Sequence, residues 1–137
     1  MLRFAAIILL TILSADLFAE EQVIVLANTD DASLQLRRNE VRNLFMGHRT
    51  LQGLEPVGLA PNHPARIVFN TRVVGLTESQ VQPYWARMRF TGRSRPPRAF
   101  ADTDALVAYL LQTPGAVGYL PADHPIPEGL LVVYRSQ

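Results

Sequence analysis

Apolar residues fall along this chain in short blocks that alternate between a strand-like and a helical period. Val23-Ile24-Val25-Leu26-Ala27 is a continuous β-branched-rich run, which predicts a strand covered on both faces. Asn28-Thr29-Asp30-Asp31 follows as a polar turn. Val41, Leu44 and Phe45 stand at i, i+3, i+4, the spacing of a buried helix face, and Gly47 supplies a stop. Leu54 to Leu59 reads as a second strand, interrupted or preceded by Pro56.

The helical period returns at His63-Pro64, with proline at the first helical position, where its missing N–H has no cost. Ile67, Thr71 and Val74 predict one stripe, with Phe69 and Val73 beside it and Gly75 at its end. Thr77-Glu78-Ser79-Gln80 is a capping box. Val81, Tyr84, Trp85 and Met88 then mark the buried face of the next helix, which Pro83 should kink or delay. Arg89 to Phe100 reads as a loop stiffened by Pro96-Pro97. Asp102-Thr103-Asp104 caps a last helix to about Gln112, with Leu106, Tyr109 and Leu110 inward. Thr113-Pro114-Gly115 stops it, and Val117 to Leu120 and Leu130 to Val133 predict two closing strands. Strands alternating with helices in this way predict an α/β domain, a small mixed or largely parallel sheet flanked by about four helices.

Residues 1–19 stand apart from that pattern. Arg3, an apolar run from Phe4 to Leu13 and a small-residue stretch ending at Ala19 form the pattern of a cleavable secretory signal, with the folded domain expected over 20–137. The apolar run is shorter than the roughly 20 residues of a membrane span. The chain has no cysteine, which excludes a disulfide framework, a thiolate metal site and a cysteine nucleophile. Export without disulfides points to a bacterial envelope and a periplasmic location. All 13 basic side chains are arginine, a preference that GC-rich coding also produces. The net charge of +1 creates no global field for nucleic acid, and none is expected as a partner.

Five segments in order carry a resemblance: Leu44-Phe45-Met46-Gly47, Phe69 with Val73-Val74-Gly75, Tyr84-Trp85, Phe90-Thr91-Gly92, and Pro114-Gly115-Ala116-Val117-Gly118-Tyr119. Together they resemble the phosphate-type (PstS-like) substrate-binding proteins of bacterial ABC transporters, above all their short single-lobe relatives. The likeness spans nearly all of 20–137. It implies one lobe of a type-2 periplasmic-binding-protein fold, non-catalytic capture of a small inorganic anion such as phosphate, and an envelope transporter or other periplasmic protein as partner. In full-length members R-x-x-x-S-G-T precedes the Phe-bearing helix and supplies phosphate ligands. The matching stretch here is Leu59-Ala60-Pro61-Asn62-His63-Pro64-Ala65, which has neither that arginine nor the Ser-Gly-Thr. An interaction module that has lost its ligand is therefore the alternative, and a homodimer would restore a second lobe.

The candidate anion ligands are Asn62, His63 and Arg66 around a helix N-terminus. Asn28, Thr29 and Ser33, after the first strand, join them as candidates on the expectation that this is the ligand-collecting edge of an open α/β sheet. A capped surface helix and an Asn/Asp turn are the plain structural alternatives. Arg87, Arg89, Arg93, Arg95 and Arg98 straddle Phe90-Thr91-Gly92, and Arg93, Arg95 and Arg98 are the candidate docking residues for an acidic or phosphorylated partner or lipid headgroups. A solvated loop is the alternative. No serine sits in a G-x-S-x-G setting, and the three histidines are isolated from metal-ligand spacings. An enzyme, a metal and a cofactor are not expected.

Overall fold

The computed structural model describes residues 21–48, 53–92 and 94–137. The expected export signal at 1–19 and Arg93 lie outside the described residues. The chain forms β1 (Val23–Ala27), α1 (Arg38–Phe45), β2 (Glu55–Leu59) and α2 (Pro64–Phe69), which continues as a π-helical turn, Asn70–Val74. Then come α3 (Glu78–Phe90), β3 (Arg98–Phe100), α4 (Thr103–Gln112), β4 (Ala116–Pro121) and β5 (Leu131–Arg135). The fold is α/β: one five-stranded mixed sheet in the order β3-β2-β4-β1-β5, with four helices.

Helices cover both faces of that sheet, and two adjacent β4 residues show how. Side chains alternate across a strand. Gly118 faces α4, where a Cβ would lie 3.2–3.3 Å from methyls of Leu106 and Leu110, so its missing side chain is what lets this helix lie close. Tyr119 faces the other way and stacks on Phe69 at 4.1 Å, with Phe45 packed edge-on to Phe69 at 4.7 Å. Coverage on both faces accounts for the unbroken apolar run of β1, every residue of which is buried.

β1 runs antiparallel to both of its neighbours, β4 and β5, whereas β2 is parallel to β3 and β4. The C-terminal end of β1 therefore lies where the other strands begin. Gly115, with φ +87°, makes the turn into β4, and its N–H donates to Asn28 O at 2.8 Å.

Three helical expectations change. The stripe Ile67–Thr71–Val74 is replaced by Ala65, Phe69, Asn70, Val73 and Val74, with Ile67 and Thr71 exposed. Ala65, Phe69 and Val73 keep the ordinary i, i+4, i+8 spacing, so the inward face is the Phe69–Val73 side and Ile67 and Thr71 lie on the opposite side of the helix. Pro83 neither delays nor ends α3, which starts at its capping box with Thr77 N–H donating to Gln80 Oε1 at 2.9 Å. The stretch expected as a loop from Arg89 to Phe100 is ordered at both ends, as the last residues of α3 and as edge strand β3.

Candidate functional site

β2 and β4 pair only at their first residues, Glu55 with Ala116 and Pro56 with Val117. Farther along, side chains take the place of the ladder. The Leu59 N–H donates to Tyr119 Oη at 3.0 Å, and the Leu59 carbonyl accepts from Arg66 Nη1 at 3.0 Å. Arg66 reaches this point because α2 starts four residues after β2, with His63 as N-cap and its Nδ1 accepting from Ala65 N–H at 3.1 Å.

The other edges of the Arg66 guanidinium are engaged too. Nε donates to Glu78 Oε2 at 2.9 Å and Nη2 donates to Glu78 Oε1 at 2.7 Å, the two-pronged geometry of an arginine–carboxylate pair. Asn70 Nδ2 and Gln82 Nε2 donate to the same carboxylate at 2.8 and 2.6 Å. Burial alone would raise the Glu78 pKa. Hydrogen bonds from Arg66, Gln82 and Asn70 and the Arg66 charge outweigh it and hold the carboxyl below its usual range. Burial pushes the Tyr119 hydroxyl up to about 12, against the opposing Leu59 hydrogen bond. The result is a polar knot at the C-terminal end of β2, in which a protein carboxylate fills the arginine fork.

Beside the knot is a cleft of about 50 Å³, lined in part by Gly58, Arg66, Asn70 and Tyr119. That is space for water, several-fold below the roughly 300 Å³ at which ordinary ligand pockets begin. A broader groove along the same sheet edge is lined by Pro64, Val68 and Pro121, with Glu21 and Asp123 as its acidic members. Its carboxylates have the wrong sign for an anion.

The six candidate anion ligands do not converge. Asn62, His63 and Arg66 follow β2 at the C-terminal edge of the parallel strands, while Asn28, Thr29 and Ser33 follow the reversed β1 and sit at the opposite edge. The premise that β1 ends at the ligand-collecting edge fails because β1 is antiparallel to its neighbours. Asn28 Nδ2 donates to Leu110 O at 2.8 Å, tying down the last carbonyls of α4. Thr29 Oγ1 accepts from Asp31 N–H at 3.1 Å, and Asp31 Oδ1 accepts from both the N–H and the hydroxyl of Ser33. These bonds are the local turn chemistry of Asn, Asp, Ser and Thr. Asn62 is exposed in the turn before α2.

No family model matches this chain, and no curated protein matches it.

Of the docking candidates, Arg98 lies with its guanidinium carbon 5.4 Å from the Phe100 ring centre and 5.3 Å from that of Tyr109, a cation–π contact on the edge strand. Arg95 is exposed, and Arg93 is outside the described residues. Among the described residues no group of three or more His, Asp or Glu is placed to hold a metal, and no helix is long and apolar enough to cross a membrane.

In the sequence Glu78 reads only as part of a capping box, Tyr119 only as the end of the Pro114–Tyr119 segment, and Asn70 carries no assigned role. Asn70 carried a usable signal. A polar residue between Phe69 and Val73 on an apolar face must find a partner, and at 6% exposure it does so in Glu78.

Proposed function

We propose that this chain is a non-catalytic binding module of the bacterial envelope, a single lobe built like those of phosphate-type substrate-binding proteins, whose anion position is occupied by its own Glu78. Its work is then recognition of an envelope partner, a transporter or another periplasmic protein, rather than capture of free phosphate. The observation that carries this reading is the two-pronged Arg66–Glu78 pair. Arg66 is the cation nearest the expected anion position. Three of its five N–H donors, one on each nitrogen, go to a carboxylate and to the Leu59 carbonyl, and the adjoining cleft is water-sized.

Calorimetry and thermal shift with phosphate, sulfate and small carboxylates on residues 20–137 test it. The expected result is no heat and no shift at millimolar ligand. Saturable phosphate binding that disappears in Arg66→Ala would overturn it.

A second reading is anion capture by exchange, in which an external anion displaces Glu78. It is favoured by the donor set itself, since Arg66, Asn70 and Gln82 already hold one carboxylate. Glu78→Ala separates the two. Under exchange the variant binds phosphate more tightly than the natural chain does; under the first reading neither binds.

A further inference from the structure

Between Glu78 and Asp102 the sequence holds five arginines and no acidic residue, in a chain whose net charge is +1. A +5 segment is thus offset by −4 elsewhere, a polarity that the overall charge conceals. Arg87, Arg89 and Arg95 are exposed, and none of them pairs with an acidic side chain among the described residues. One turn after Arg87 and next to Arg89, Phe90, the last residue of α3, is 94% exposed, while the other exposed large apolar side chains among the described residues lie between 46% and 53%. Arg87 stands three residues before it, on the same side of the helix.

Arginines in a last helical turn complement the helix dipole, which accounts for Arg87 and Arg89. It does not account for a phenyl ring held in water. An aromatic hot spot in a protein interface sits within a patch that excludes water. Phe90 has exposed Arg89, Thr91 and Gly92 as its chain neighbours. One ring within a basic rim is instead the arrangement of an interfacial anchor, with the ring at the acyl boundary and the guanidinium groups at lipid phosphates.

We propose that the C-terminal end of α3 docks on an anionic phospholipid surface, with Phe90 entering the interface and Arg87 and Arg89 at the headgroups. This goes beyond the binding-module reading and stands apart from Arg66, so each can fail without the other.

Co-sedimentation with vesicles tests it, using residues 20–137, which hold the apolar core formed among the described residues. The natural domain should sediment with vesicles of phosphatidylglycerol, not with phosphatidylcholine, and should be released by salt. Phe90→Ser should weaken partitioning several-fold, and Arg87→Ala with Arg89→Ala on the order of tenfold or more. All three positions are exposed, so circular dichroism should not change and the melting temperature should fall by no more than a few degrees, from the lost helix-dipole contribution of the two arginines. Absence of phosphatidylglycerol binding overturns the proposal. So does full competition by soluble polyglutamate with Phe90→Ser equal to the natural chain, which would assign the patch to an acidic protein.

Discussion

Arg66 and Glu78, twelve residues apart, meet through two parallel hydrogen bonds of 2.9 and 2.7 Å and join the α2 segment to the start of α3. Their side chains retain 17% and 26% exposure. Removing one partner of a fully buried pair costs about 3–5 kcal/mol, and this exposure reduces the expected cost to about 1–3 kcal/mol. Arg66→Ala and Glu78→Ala should each lower unfolding free energy by that much in urea. The double variant should lose less than the sum of the two.

The same carboxylate makes stability depend on acid. Its folded pKa is depressed, so its contribution is complete above the unfolded value of about 4.3 and is lost as pH falls through the lower folded value. Melting temperatures measured from pH 6 downward should show a steeper acid fall for the natural chain than for Glu78→Gln, which has no proton to gain there.

Tyr119 acts at the other end of the scale. Its folded pKa of about 12 lies above the unfolded value of about 10. Its contribution is full below pH 10 and is lost as pH rises toward 12, because the unfolded chain gives up the proton first. The chain has no lysine and no cysteine to titrate beside it in this window. Tyr119→Phe should flatten the alkaline loss. It should also cost about 1–3 kcal/mol at neutral pH, since the Leu59 N–H loses its acceptor. Unfolding curves at pH 7 and across pH 9–12 measure both effects.

Asn28 gives a prediction that separates structure from ligand binding. Its amide holds the Leu110 carbonyl at 2.8 Å. Asn28→Ala should destabilise the domain by about 1 kcal/mol, as loss of one such bond does. Any vesicle binding should be unchanged. Chemical denaturation paired with co-sedimentation reads out the two.

How far the sequence alone reaches depends on the range of each interaction. Pro64 at the first turn of α2, the Thr77–Gln80 box, the Asp102 cap and the stop at Gly115 were legible because each is a bond or a dihedral set within a few residues. The stripe Ile67–Thr71–Val74 failed because the neighbouring Phe69–Val73 side turns inward instead, a choice set by the packing of Phe69 on Phe45 and Tyr119. Glu78 was legible as a helix-start residue and illegible as the partner of Arg66 and Asn70, since that depends on how α3 folds back on α2.

The alternation of apolar periods by itself determined that this is an α/β domain whose first described strand is buried on both faces, and the composition showed an arginine-rich stretch that begins in the last turn of α3. Only the tertiary structure decided that β1 runs against its neighbours, which places Asn28, Thr29 and Ser33 at the far edge from Asn62, His63 and Arg66. Hydrophobic period reports which faces are covered, and it is the same for either strand direction. Direction and the Arg66–Glu78 pairing are set by contacts between segments distant in the chain, which no local run of residues encodes.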